Sequence, residues 1–185
     1  MIYPIMIYGS PVLRKVAKDI DKDYEGLDEF IENMFSTMYS SDGIGLAAPQ
    51  IGKSIRLFVM DASPFEEDYP ELKDFKKVFI NAQITERSGE PYLFNEGCLS
   101  IPNLREDVER PEKIKIEYYN VNWEFCVEEY EGIVARIIQH EYDHLDGKMF
   151  TDRLSSLKKK MITGKLRNIS KGKFNIDYKY RLPKI

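Results

Sequence analysis

Leu27, Phe30, Ile31, Met34, Phe35 and Met38 recur at the i, i+3, i+4, i+7 spacing that places apolar residues on one stripe of a helix. That helix is expected to end before a loop at residues 40–45. Residues 55–60 and 78–80 read as short buried strands. Between them, residues 63–77 are polar and hold Pro64 and Pro70, which predicts a surface excursion. Residues 113–119 and 123–130 alternate around Asn120, Val121 and Asn122, the pattern of a hairpin. In its second strand Trp123, Phe125 and Val127 share one face, so Cys126, between Glu124 and Glu128 on the other, is expected to meet solvent or a polar surface. Residues 132–145 are apolar through their first two turns and stop at Asp146 and Gly147, which predicts a buried helix with a glycine C-cap. A helix is expected over 156–169, weakened by Gly164, and an edge strand near 174–180. Strands followed by a central helix, without regular βαβ alternation, predict an α+β fold of mixed or antiparallel strands.

Composition narrows the class. A chain of 185 residues, 43% hydrophobic and 31% charged, fits one domain over 1–185 and excludes intrinsic disorder and a disulfide scaffold. No stretch is apolar enough to span a bilayer, and the first eight residues lack the basic start of a secretory signal. A cytoplasmic location without membrane attachment is therefore expected, with Cys98 and Cys126 as thiols. Charge is uneven: residues 153–185 carry +10, and the rest of the chain carries −14. A solvated helix face would account for this basic tail, and so would contact with an anionic surface such as RNA.

The chemistry is concentrated in the predicted central helix, which contains His140-Glu141-Tyr142-Asp143-His144. Residues four apart on a helix lie on one face one turn apart, so both imidazoles can reach a single metal ion, and Glu141 can serve a bound water. The alternative is two unrelated histidines, the only two in the chain. A third ligand is found by elimination. No other histidine exists and no glutamate follows His144, while Cys126 is expected to point away. Cys98 remains, in Glu96-Gly97-Cys98-Leu99-Ser100, and a thiolate with two imidazoles leaves a fourth position open, as a catalytic site requires. Such a set accommodates zinc, iron, nickel or cobalt.

A second unusual segment, Gly43-Ile44-Gly45-Leu46-Ala47-Ala48-Pro49-Gln50, offers a backbone that another chain can approach and an amide, on Gln50, able to donate to an oxyanion. Gly52-Lys53-Ser54 resembles the end of a phosphate-binding loop, but Ala47 stands where its first glycine belongs and Pro49 interrupts it.

These three segments, in this order and spacing, resemble peptide deformylase. The likeness extends to Tyr8-Gly9-Ser10-Pro11-Val12-Leu13-Arg14 and covers most of residues 7–154, weakening over 63–77 and in the tail. The resemblance implies a peptide deformylase-like fold around the metal-binding helix and hydrolysis of the formyl group from the formyl-Met N-terminus of nascent polypeptides. It implies Cys98, His140 and His144 as metal ligands, Glu141 as the proton carrier, and Gln50 with the Leu99 backbone N–H as oxyanion donors. It further implies substrate contacts at Ile44, Gly45, Gly97, Ile133 and Ile137, with Arg105 at the pocket rim, and ferrous iron in the cell with zinc, nickel or cobalt in preparations. Arg136, one turn before His140, is expected either to reach the pocket rim or to form an outward salt bridge. The basic tail is expected to meet the ribosome surface. A metallopeptidase of the H-E-x-x-H type and a metal-stabilised binding module are the competing readings; the first has no use for a cysteine ligand, and the second would show no exchangeable water.

Overall fold

The computed structural model describes residues 1–184; Ile185, the last residue of the expected basic tail, lies outside the described residues. Among the described residues, nine strands and three α-helices make an α+β fold. A five-stranded antiparallel sheet runs in the order β2 (Gly45–Ala47), β3 (Leu57–Asp61), β4 (Lys76–Ser88), β7 (Lys113–Tyr119), β8 (Phe125–Glu131). A separate antiparallel hairpin joins β5 (Tyr92–Cys98) to β6 (Ile101–Arg110), and β1 (Ile5–Met6) pairs in parallel with β9 (Tyr180–Arg181).

Every residue of β3 is buried, because helices cover both of its faces. Leu57 and Val59 face α1 (Leu27–Tyr39), which lays Phe30, Ile31, Met34, Phe35 and Met38 against them. Phe58 and Met60 face α2 (Gly132–Leu145), meeting Val134, Ile137 and Ile138. Phe58 stacks on its cross-strand partner Phe79 with ring centroids 4.5 Å apart. A third apolar cluster joins Ile162, Leu166 and Ile169 of α3 (Ser156–Ser170) to Ile101, Leu104 and Val108 of β6. Local chemistry sets the helix ends. Asp28 and Glu29 lie in the first turn of α1, where the helix dipole favours negative charge. Gly147, at φ +68°, closes α2, and a Cβ there would sit 2.7 Å from the Arg14 carbonyl oxygen, so no other residue fits without a shift.

The structure departs from the sequence reading in five places. The strand expected at 78–80 runs the full length of β4, its far half polar because it crosses a solvated part of the sheet. The hairpin β5–β6 was not foreseen. Residues 63–77 hold two short 3-10 turns, and the excursion is pinned from below by buried Leu72 and by Phe65 and Phe75 against the core. The β8 faces are reversed. Phe125 and Val127 are 57% and 47% exposed, while Cys126 and Tyr130 pack toward the core beside Glu128. An inward glutamate is tolerated because Lys77 Nζ donates to both its oxygens at 2.9 and 2.8 Å and the Tyr118 hydroxyl donates at 2.6 Å. Last, strand pairing near the C-terminus is confined to Tyr180–Arg181, and the residues before it bend at Phe174, Asp177 and Tyr178.

Candidate metal centre

Two elements carry the residues that converge here. Strand β5 ends in Glu96, Gly97 and Cys98, and the chain reverses at once so that Cys98 pairs with Ile101 after a register shift. Helix α2 presents His140 and His144 one turn apart, with ring centroids 5.3 Å apart. Cys98 Sγ lies 3.3 Å from His144 Nε2, and the donor atoms of Cys98, His140 and His144 all fall within 4.8 Å of one another. Among the described residues they form the one group of three or more such side chains placed to share an ion.

The orientation of His140 is fixed from behind. Its Nδ1 donates to Glu96 Oε2 at 2.9 Å, which leaves Nε2 for the ligand side. Glu96 is itself clamped: Arg110 donates from Nε at 2.7 Å and from Nη2 at 2.9 Å, and Arg136 Nη1 donates at 3.0 Å. Arg110, 0% exposed, reaches from Glu96 to Asp143 with an Nη1 donation of 2.7 Å, and Asp143 accepts two further bonds of 2.6 Å from Arg153. Burial alone would raise the Glu96 carboxyl, but bonds from Arg110 and His140 hold it far below the usual carboxylate range. Asp143 is lowered in the same way by Arg153 and Arg110.

Glu141 is different. Its carboxylate is buried, and Oε2 has no hydrogen-bond partner. Burial pushes its pKa up to about 7, against the pull of both imidazoles. Burial would likewise raise the Cys98 thiol, but the imidazoles of His144 and His140 bring it down to about 5, into the thiolate range at neutral pH. Thiolate, imidazole pair and unpartnered carboxylate are a donor set that fits a divalent metal ion with a water beside it. His144 Nδ1 is also buried without a partner.

The GIGLAAPQ segment forms the facing wall. A Cβ on Gly45 would stand 2.5 Å from Glu141 Oε1, so only glycine lets β2 pass this close to the carboxylate. Gln50 Oε1 accepts from the Ala47 N–H at 2.8 Å, which turns Nε2 toward Cys98 Sγ and Ser100 Oγ, each 3.4 Å away. Ile44, Gly45, Gln50, Gly97, Cys98, Leu99, Arg105, Ile133, Ile137, His140 and Glu141 all line one cleft of about 410 Å³; His144 is buried behind it. Arg105 stands at the rim, held by Asn95, whose backbone oxygen accepts at 2.7 Å and side-chain oxygen at 2.9 Å.

Arg136 lines the cleft, but its salt bridge is inward, to Glu96, and not outward. It is 2% exposed, its Nη1 donates to Glu96 and to the Val108 carbonyl at 3.0 Å each, and its Nη2 donates to the Tyr92 carbonyl at 2.7 Å. Its charge is spent inward, on Glu96 and two backbone carbonyls. Sequence reasoning also missed Glu96 and Asp143, although both stand inside the motifs, and Arg110, for which nothing in the sequence gave a signal.

Comparison with known proteins agrees with this geometry. Residues 2–160 match the family described as polypeptide deformylase. The chain is 57% identical over 190 residues to a peptide deformylase of Christiangramia forsetii, covering 99% of this chain and 97% of that protein. It is 53% identical over 189 residues to a peptide deformylase of Flavobacterium psychrophilum, covering 98% and 97%. The crystal structure of peptide deformylase from Thermotoga maritima superposes with a TM-score of 0.76 at 44% identity, covering 84% of this chain and 99% of that one. Among the described residues no helix is long and apolar enough to cross a membrane. A buried Cys-His-His group beside an unpartnered glutamate, in a chain matched from end to end, has one consistent account: this chain belongs to the polypeptide deformylase family, the metal-dependent hydrolases that remove the N-formyl group from nascent polypeptides.

Proposed function

We propose that Cys98, His140 and His144 hold the metal ion and that Glu141 carries the proton in deformylation. The observation supporting this most directly is the unpartnered, buried Glu141 carboxylate beside three donor atoms within 4.8 Å of one another. An ion in this site supplies Lewis acidity, which makes water a nucleophile near neutrality. Glu141, with a pKa near 7, is matched to take a proton at neutral pH and return it to the departing amine. Gln50 Nε2 and the Leu99 backbone N–H are the oxyanion donors, and the Gln50 side chain is pre-aimed by its bond from Ala47. Ile44, Ile133 and Ile137 give the cleft an apolar lining suited to the methionine side chain. Gly45 and Gly97 lie at the strand edges β2 and β5, where the peptide backbone adds alongside, and Arg105 stands at its exit.

The ion in the cell is ferrous iron, one of the ions that a thiolate and two imidazoles accommodate, with zinc, nickel or cobalt able to replace it. The enzyme works in the cytoplasm, and its basic tail meets the ribosome surface. Lys159 and Lys160 on α3 are exposed, whereas Lys158 is engaged by Glu106 at 3.2 Å. Formate release from a formyl-Met peptide, followed alongside metal content, tests the site. Glu141→Ala is expected to keep the metal and lose turnover, and Cys98→Ala to lose both. A metal-replete, active Cys98→Ala protein would end the ligand assignment, and cleavage of unformylated peptides at a similar rate would favour a peptidase.

A further inference from the structure

After α3 the chain does not leave the molecule. Residues 173–182 run back across the cleft through bends at Phe174, Asp177 and Tyr178, with Phe174, Ile176 and Tyr178 turned inward and Lys173, Asn175, Asp177 and Lys179 exposed, so that one side of the segment is covered. Both ends are tied down. Asn103 Nδ2 donates to the Asn175 carbonyl at 3.2 Å, and the Ile5 and Ile7 N–H groups donate to the Lys179 and Arg181 carbonyls at 2.9 and 3.0 Å. Ile176 and Tyr178 line the same cleft as Glu141, Gln50 and Cys98.

Tyr178 does more than cover. Its hydroxyl donates to the Leu99 carbonyl at 2.8 Å. Burial holds the phenol protonated, so it remains a donor across the working pH range. The next carbonyl, Ser100, accepts from the Tyr8 N–H at 2.8 Å, and Gln50 Nε2 reaches the Ser100 hydroxyl. Three remote segments thus clamp the turn of Leu99 and Ser100 that joins β5 to β6 and directly follows Cys98. Tyr178 lies outside residues 2–160, the span matched by the family model, though inside the span aligned with the Christiangramia forsetii protein.

We propose that residues 173–182 are a working wall of the substrate cleft, in which Tyr178 is a positioning residue for the Leu99 peptide and Ile176 offers apolar surface to the bound formyl-peptide. The role given to Tyr178 rests on the reading of the Leu99 N–H as an oxyanion donor. A phenol fixing the carbonyl of Leu99 restrains its backbone torsions, and a donor must be in place before charge develops if it is to favour the transition state over the ground state.

The two residues are expected to fail differently in the full-length, metal-loaded enzyme. Tyr178→Phe keeps the ring and removes the donor, so kcat on a formyl-Met tripeptide should fall about tenfold while KM stays within about twofold and metal content is unchanged. Ile176→Ala should do the reverse, raising KM severalfold with kcat retained. Wild-type values of both constants in both variants would overturn the proposal, as would a Tyr178→Phe loss that tracks metal loss. An amide-to-ester replacement that removes only the Leu99 N–H separates the two readings. Full turnover in the ester protein defeats the donor assignment, whereas slow turnover there with a wild-type Tyr178→Phe defeats the positioning role alone.

Discussion

Two hairpins of similar build sit on this molecule and use charge in opposite ways. In β7–β8 the cross-strand pairs Lys113–Glu131 and Lys115–Glu129 lie at the surface, with both partners of each pair about half exposed or more. In β5–β6 the charges turn inward, and Glu96 and Arg110 are almost wholly removed from water and completed by Asp143, Arg136 and Arg153. A surface pair gains little over its hydration, whereas a buried pair must keep every partner or leave a naked charge in a medium of low polarity. One hairpin is therefore decorated by its charges and the other is held together by them. The second is also the hairpin that carries Cys98.

The comparison is sharpest for the two cysteines. Cys98→Ala, on β5, is expected to lower formate release by at least about a thousandfold, and Cys126→Ala, on β8, to change it less than twofold; equal effects would erase the distinction. Next in size, Arg110→Met should lower unfolding free energy by about 3–5 kcal/mol in denaturant titration, since Glu96 and Asp143 would both keep buried negative charge. The pH response is smaller and signed. The Glu96 pKa is depressed below its ordinary 4.5, so the stability it contributes is complete above that value and is lost as pH falls through the lower, folded-state pKa. Glu96→Gln should accordingly be less stable at neutral pH and show a flatter decline below about pH 4.5 than wild type. At the other extreme, Lys113→Ala and Lys115→Ala should each shift stability by no more than about 0.5 kcal/mol, an effect that vanishes in high salt.

The same contrast explains what could be read before folding. Helices α1 and α2 and strand β7 were legible because apolar residues mark their covered faces, and β8 was legible as a strand from its alternation alone. The hairpin β5–β6 was not, because two of its most buried positions are Glu96 and Arg110, which a hydrophobic pattern scores as surface. Cys126 was assigned to the wrong face for a related reason: the apolar residues of β8 are the exposed ones, and the inward Glu128 depends on Lys77, far away in sequence. The metal ligands were legible because chemistry fixes their types and spacing on a helix. Arg136 was not, since its partner Glu96 is set by tertiary structure alone.

The parallel pairing of Ile5–Met6 with Tyr180–Arg181 also has a bearing on how the molecule assembles. It joins residues 5–6 to residues 180–181, so its closure carries the largest loop entropy among the described strand pairings and cannot begin until residues 180–181 have been made. Strand β3, enclosed by α1 and α2, needs none of it. The Ile5 and Ile7 amides, whose acceptors belong to the C-terminal segment, should therefore exchange with deuterium through a local opening well before the amides of Phe58 and Val59 do. A cleft wall that docks last and detaches first gives the enzyme a late-formed edge on an early-formed core.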